Sequence, residues 1–470
     1  MTTLIMKFGG SALGTVPALT QVLSIILHER KRWKRLILVA SALDGVTDML
    51  LESAHLAQAD NQRGYRRIVA TIRTRHLALV EYLPLEQQER TALKANIDRL
   101  LFEMLDDCQT VANTPSDSLS PEISDRIVGV GERLAARIIA ALLRQNDMRG
   151  VAIDGTDIIV TNNVHGNASP IIDLTQQHIE TNLLPMLSRD IIPVVAGYIG
   201  ATVDGKPTTI GRGGSDYTAS VLAITSEADE VWIWSDVDGM MSTDPRDVET
   251  AQVIETMSYD EVAELAYFGA RILHARMIQP LQKNNIPLRV KNVYKPQLPG
   301  TLIRHSESET NQHIKAVTSI LGIGLTANRS GSLSNITKLV DDTLFDTTGS
   351  RADVTISSQS SSRSFLCFIV PTSAGGLEAV TAIRANLVTH LDDLHDSAAW
   401  HVEPVGIVTA IGAGLDQMQG LNATILQQLN GIPIVGLAQG PSHCSLSIIV
   451  EQDATEEALR RIHDLVLSSG

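Results

Sequence analysis

Cysteine is scarce. The three in this chain of 470 residues, Cys108, Cys367 and Cys444, are far apart and show no ligand-type spacing, so neither a disulfide framework nor a cysteine-based metal site is supported. A reducing compartment is the expectation. Basic residues are the minority: 38 Lys and Arg against 53 Asp and Glu give a formal charge of −15 and a pI near 5.3, a surface that repels nucleic acid and anionic lipid. No run approaches the roughly 18 apolar residues that a membrane span needs. The N-terminus also lacks a basic head, apolar core and cleavage site, so a cytoplasmic protein with no membrane and no nucleic-acid partner is expected. What is present is core: 44% hydrophobic residues fill two to four ordinary domains and exclude a disordered or fibrous chain.

The opening reads as alternating strand and helix. Leu4 to Phe8 form a buried run, Gly9 and Gly10 break it, and Pro17 stands near the start of an amphipathic stretch from Ala18 to Trp33. A second strand, Leu36 to Ala40, leads through a turn, Ser41 to Gly45, into another helix. Residues 52–112 carry helical spacing with few breakers, which predicts two or three helices laid over the sheet. Strands resume at Val151–Ile153, Ile191–Val195, Val231–Trp234 and Ile286–Val290, several apolar on both faces as a parallel sheet covered on each side requires. The fold class predicted is α/β: a parallel-rich sheet sandwiched by helices over residues 1–305, with a polar linker over 306–313.

Beyond the linker the sequence repeats itself. Gln359-Ser-Ser-Ser362 with Leu366, Ile369 and Val370 matches Gln439-Gly-Pro-Ser442 with Leu446, Ile449 and Val450 at an offset of 80, and Gly322-Ile-Gly324-Leu325 matches Gly412-Ala-Gly414-Leu415 at an offset of 90. The first copy thus holds ten extra residues, which are expected within Thr343 to Asp353. Each copy reads strand, turn, helix, strand, strand, helix, a small α/β sandwich whose sheet edge needs a partner. The two modules are placed at 314–400 and 401–470, in series or interleaved.

Several segments carry chemistry. Lys7-Phe-Gly-Gly10 sets a lysine at a strand end before a glycine turn whose N–H groups can approach an anion; it is either a phosphate cradle or an ordinary βα turn. Gly211-Arg212-Gly-Gly-Ser215-Asp216 leads into a helix that Ser215 or Asp216 is expected to cap, and its arginine can grip a carboxylate bidentately. Ser235-Asp236-Val-Asp-Gly239 and Thr243-Asp244-Pro-Arg246 follow a hydrophobic strand at its carboxyl end, where α/β sheets place ligands. Glu132, at a predicted helix start, is either a dipole partner or the ligand of an ammonium group.

Together these segments resemble the aspartate kinases of the amino-acid-kinase superfamily, over nearly the whole chain. The resemblance is carried by Lys7–Gly10, Ser41 to Asp48, Gly131-Glu132, Gly197 to Gly200, Thr208 to Tyr217, Asp236 to Gly239, Thr243 to Arg246 and Glu264 to His274, in the family's order. The terminal repeat resembles the family's tandem ACT modules, of the ferredoxin-like kind, and the resemblance is to a form without a fused homoserine dehydrogenase. It implies transfer of the γ-phosphoryl group of ATP, with Mg²⁺, to the β-carboxylate of L-aspartate, giving 4-phospho-L-aspartate at the start of lysine, threonine and methionine synthesis. It makes Lys7 the γ-phosphate clamp beside Gly9 and Gly10, and Asp216 the residue that orders Lys7 and the metal region. Arg212 takes the substrate α-carboxylate and Glu132 its ammonium, helped by Ser41, Thr47 and Ser215. Ser235, Asp236, Asp244, Arg246 and Lys295 match the nucleotide side.

Two departures stand out. The usual Gly-Gly-Thr-Ser-Val is here Gly9-Gly-Ser11-Ala12-Leu13, and Met241 replaces an aromatic, which weakens adenine stacking there. Gln359 and Gln439, at equivalent places in the repeat, are the expected contacts for an amino-acid effector, threonine or lysine, in a homodimer or larger assembly. The alternatives are a catalytically inactive amino-acid sensor and a related kinase acting on glutamate or N-acetylglutamate.

Overall fold

The computed structural model describes residues 2–114, 119–269, 273, 275–305, 313–328, 333–349, 351–371, 375–393 and 400–468. They divide into two compact units, one comprising Met1–Met240 and Leu273–His305, the other Met241–Ile272 and Ser306–Gly470.

In the first unit the strands are β1 (Thr3–Phe8), β2 (Arg35–Ala40), β3 (Arg149–Ile153), β4 (Val160–Thr161), β5 (Ile191–Ala196), β6 (Ile199–Thr202), β7 (Pro207–Thr209) and β8 (Glu230–Ser235). After β9 (Thr256–Ser258) of the second unit come β10 (Leu288–Asn292) and β11 (Thr301–Arg304). The unit's main sheet runs β3-β5-β2-β1-β8-β10-β11, parallel except for the last pair. Every residue of β1 is buried, as a central strand covered on both faces must be. From β1 the chain passes to β2 on one side and later to β8 on the other, so the topological switch point, where α/β sheets place ligands, lies at the carboxyl end of β1.

Its helices are α1 (Val16–Glu29), α2 (Val46–Gln58), α3 (Gln62–Tyr82), α4 (Gln87–Asn113), α5 (Pro121–Val128), α6 (Val130–Gln145), α7 (Ile172–His178), α8 (Leu184–Ser188) and α9 (Gly214–Thr225), with α11 (Ala275–Lys283) following α10 (Tyr259–Tyr267) of the second unit. The stretch 52–112 is helical as expected: the end of α2, then α3 and α4. These helices share one apolar cluster with α1, α6 and the sheet, built on residues such as Leu38, Ile72, Leu100 and Ile139. The small sheet β4-β6-β7 has no counterpart in the sequence reading, because strands of two to four residues carry no readable period.

The second unit holds β12 (Ala316–Ala327), α12 (Leu333–Thr348), β13 (Asp353–Gln359), β14 (Ser364–Ile369) and α13 (Leu377–Asp393), then β15 (Trp400–Ile411), α14 (Leu421–Gln428), β16 (Ile434–Gln439), β17 (Ser445–Glu451) and α15 (Thr455–Ser468). The two modules share one sheet, ordered β13-β14-β12-β15-β17-β16. β12 and β15 pair antiparallel over their full length, so each supplies the fourth strand of the other module's ferredoxin-like arrangement. That pairing satisfies the edge each copy would otherwise expose.

Three features differ from the sequence reading. Met241–Ile272, expected inside the N-terminal domain, clusters with the second unit. There the Val317 amide donates to the Ser242 carbonyl, Ser242 Oγ lies 2.8 Å from His463 Nε2, and Lys315 pairs with buried Glu261 at 2.9 Å. The Gly-x-Gly landmarks are not equivalent either: Gly322 and Gly324 lie inside β12, whereas Gly412 and Gly414 follow β15. Finally, the ten-residue excess expected for the first copy all but disappears between equivalent strands, Ala316–Ile369 against Trp400–Glu451, although its helix α12 has 16 residues against 8 in α14.

Candidate active site

The strand order puts Lys7 and Phe8 at the switch point. Lys7 is nearly buried, and its Nζ lies 2.5 Å from Asp216 Oδ1, in the first turn of α9. A cation held so close to a helix N-terminus needs the intervening carboxylate, because the helix dipole alone opposes it. Helix α9 is capped by Gly213 in the left-handed region (φ 69°) with no side-chain cap, so the expectation that Ser215 or Asp216 caps it is corrected. Asp216 is turned to Lys7 instead.

The glycine turn is closed by backbone. The Gly9 amide donates to the Trp234 carbonyl at 3.0 Å, bringing the turn beside the end of β8 and Ser235. A Cβ at Gly10 would stand 2.8 Å from the Ala42 carbonyl, so this glycine lets the loop Ser41–Asp44 pack directly on the turn. The Ser41 amide in turn donates to the Phe8 carbonyl. Thr47 follows in the first turn of α2, which starts from Gly45 at φ 70°.

Glu132 sits in the first turn of α6, fully enclosed, and burial pushes its carboxyl up to about 8 although the Ala42 amide and the Lys7 charge oppose the shift. Its Oε2 has no hydrogen-bond partner. Such an orphaned buried acceptor is expensive unless a ligand supplies the missing donor. Ser215 is buried against Gly197, where a Cβ would come within 2.9 Å of the serine side chain. Arg212, between Gly211 and Gly213, is exposed and forms no ion pair among the described residues.

On the β8 and β10 side, Lys295 Nζ pairs with Asp238 Oδ2 at 2.7 Å, and Asn292 Nδ2 donates to Asp238 Oδ1 and to the Asp236 carbonyl. The Lys295 hydrogen bond holds the Asp238 carboxyl below its ordinary range. Tyr294 Oη donates to the Ser11 carbonyl, which joins this loop to the glycine turn. Asp244 and Arg246 belong to the second unit, where they form an exposed pair at 2.6 Å, and Gln359 and Gln439 end β13 and β16 of that unit. His274 and residues 270–272 of the last motif lie outside the described residues.

Sequence reasoning passed over three groups. Tyr198 adopts φ 69°, unusual for a bulky residue, and a Cβ on Gly214 would meet its ring at 2.7 Å. The buried Asp125 accepts from Thr209 Oγ1 at 2.5 Å and from the Gly166 amide, with His165 Nδ1 at 2.8 Å. Asn292 orients Asp238. The positive φ had a faint signal in the flanking Gly197 and Gly200; the other contacts had none.

The sequence matches the amino acid kinase family over residues 2–292. This chain belongs to that family. A match to the ACT domain covers residues 408–465 of the second module. Among curated proteins, a bifunctional aspartokinase/homoserine dehydrogenase of Daucus carota chloroplasts is 27% identical over 97% of this chain, which spans only 50% of that relative's length. The lysine-sensitive aspartokinase 3 of Escherichia coli is 27% identical, with 97% of each chain covered. Among solved structures, E. coli aspartokinase III in complex with aspartate and ADP superposes with a TM-score of 0.77 at 26% identity, covering 99% of this chain and all of that one. The same enzyme with lysine and aspartate gives 0.79 over 98% of this chain and 99% of that one. Family membership thus assigns the parallel sheet and its switch point to the kinase part and the shared six-stranded sheet to the ACT part. Among the described residues no helix is long and apolar enough to cross a membrane.

Proposed function

We propose that this family member is an aspartate kinase, transferring the γ-phosphoryl group of ATP to the β-carboxylate of L-aspartate. The observation that carries the reading is the arrangement at the end of β1: a lysine held by Asp216 beside a buried Glu132 oxygen that lacks a donor. An amino acid's ammonium supplies that donor, while a nucleotide's terminal phosphate finds Lys7 and the amides of the glycine turn. Arg212 is left exposed for the α-carboxylate, which it grips bidentately. The similarity to aspartokinase III supports the same substrates.

A β-carboxylate is ionised at neutral pH, so one of its oxygens forms the new O–P bond without a general base, and the bond to the β-phosphate breaks to release ADP. Lys7 and the turn amides offset charge on the transferred oxygens. Arg212 and Glu132 fix the amino-acid end so that attack is in line. Among the described residues no group of three or more His, Cys, Asp or Glu makes a protein cage for a metal. The residues fit Mg²⁺ in the form it takes with nucleotides, held mainly by phosphates and water with one carboxylate near, here Asp216. When bound it would neutralise phosphate charge. Ser235, Asp236 and Lys295, at the ends of β8 and β10, are the residues of the first unit that would meet the nucleotide.

The test is an ATP-dependent acyl phosphate trapped with hydroxylamine. Aspartate should give the hydroxamate, and glutamate and N-acetylglutamate should not. Arg212→Ala should raise the aspartate KM about tenfold or more with the ATP KM within about twofold, and Lys7→Met should lower kcat about 100-fold. No hydroxamate from aspartate with the parent chain would defeat the reading and leave an amino-acid sensor. Equal effects of Arg212→Ala on both substrates would move the carboxylate site elsewhere.

A further inference from the structure

The loop bearing Arg212 has little stiffness of its own. Gly211 and Gly213 both lie in the left-handed region, at φ 82° and 69°, and Arg212 between them has no side-chain partner among the described residues. A guanidinium on such a hinge loses affinity to the entropy of ordering unless the backbone beneath it is fixed.

What fixes it comes from α11. Arg276 Nη1 donates to the Ile210 carbonyl at 2.7 Å and to Asn167 Oδ1 at 2.7 Å. Its Nη2 reaches the Ala168 carbonyl at 3.2 Å and Ser169 Oγ at 3.4 Å. The guanidinium carbon also stands 5.0 Å from the centre of the Tyr217 ring. Ile210 precedes the glycines and Tyr217 follows them, so one planar side chain grips both ends of the loop. Asn167, oriented by the same nitrogen, fills the space over Gly211, where a Cβ would stand 2.7 Å from its Oδ1. The Ala168 amide donates to the Thr209 carbonyl and completes the clasp.

We propose that Arg276 is a positioning residue for Arg212, presetting the loop that reads the substrate carboxylate. The assignment of a carboxylate to Arg212 rests on the proposed aspartate kinase reading; the clasp itself does not. The direction of the effect follows from its place. Loosening it releases the amino-acid reader and leaves Lys7, the glycine turn and the nucleotide side where they are.

The experiment compares Arg276→Met, Arg276→Lys and Asn167→Ala with the parent by kinetics and by amide hydrogen exchange. Arg276→Met should raise the aspartate KM about tenfold, and Arg276→Lys, which keeps the charge but loses the fork, less; kcat at saturating aspartate and the ATP KM should stay within about twofold. The Ile210 and Gly214 amides should exchange about tenfold faster in Arg276→Met, with those of β1 and β8 unchanged. A lowered melting temperature and kcat with unchanged aspartate KM would show a merely structural role and overturn the proposal, as would unchanged loop exchange in a folded variant. If Arg276→Met does not fold, the lysine and Asn167 variants carry the same two readouts. If the parent has no aspartate kinase activity, the functional reading falls while loop exchange still decides the clasp.

Discussion

Glu132 shows how a buried carboxyl weakens a fold. Its carboxyl has an ordinary value of 4.5 when solvated and about 8 in the folded chain because burial disfavours its charge. Between those values the unfolded chain releases a proton that the folded chain keeps. The residue therefore destabilises the fold progressively as pH rises from 4.5 to 8, after which the penalty is constant. Glu132→Gln should accordingly raise the melting temperature by about 2 °C or more at pH 8 and by little near pH 4.5, as thermal unfolding across that range will report. The same substitution should weaken aspartate binding, since an amide keeps an acceptor oxygen but loses the charge that pairs with an ammonium. In the parent, binding of that ammonium favours the ionised carboxylate, so aspartate affinity should rise with pH through the region below 8. A melting temperature that falls equally at both pH values would remove the desolvated carboxyl as the cause.

At the scale of the element, two adjacent glycines in one turn have different tasks. A Cβ at Gly9 meets nothing closer than the Trp234 carbonyl at 3.5 Å and Lys7 Nζ at 3.8 Å, ordinary contacts in the expected phosphate path. At Gly10 it meets the Ala42 carbonyl at 2.8 Å and the Asp44 amide at 3.1 Å, both backbone, so the loop after β2 has to move. Gly9→Ala should therefore melt within about 2 °C of the parent yet lose kcat, and Gly10→Ala should lose about 1–3 kcal/mol of stability as well. Equal melting temperatures for the two variants would show that the loop yields without strain. The strands around this turn were legible because each is a short apolar run bounded by polar residues or glycine, and their observed ends fall within two residues of the expected ones. Strands β4, β6 and β7 were not, since their order depends on pairing between segments rather than on any period within them.

For the whole molecule, the repeated glutamines mark equivalent places in the two halves of the second unit's sheet. Gln359 ends β13 and donates from Nε2 to Ser364 Oγ at 3.3 Å, while Gln439 ends β16, so the two amides close the edge strands of the shared sheet. Our proposal is that one or both contact an amino-acid effector whose differential affinity shifts the enzyme between states. Lysine is bound by the similar aspartokinase III, and threonine is the other candidate. Titrating activity with each should show inhibition by one, with the midpoint raised about fivefold or more in Gln359→Ala or Gln439→Ala. Inhibition kept at the parent midpoint in both variants would remove the glutamines from the effector site.

Local chemistry in the sequence was enough for the strand-turn-helix order, the glycine turn after Lys7, the glycine-flanked Arg212 and the existence of two related terminal modules. The first three are each written within a few consecutive residues, as a period or as a turn requirement, and the last as a self-match at an offset of 80. The partnership of Asp216 with Lys7 was already implied by the family resemblance; tertiary structure alone decided that Glu132 is stripped of water and left one donor short, and that Arg276 grips the Arg212 loop. It alone assigned Met241–Ile272 to the second unit and made β12 and β15 each the fourth strand of the other's module. These facts depend on which distant segments the buried sheet brings together, and on how much water that burial removes. Neither quantity is carried by the neighbours of a residue in the chain.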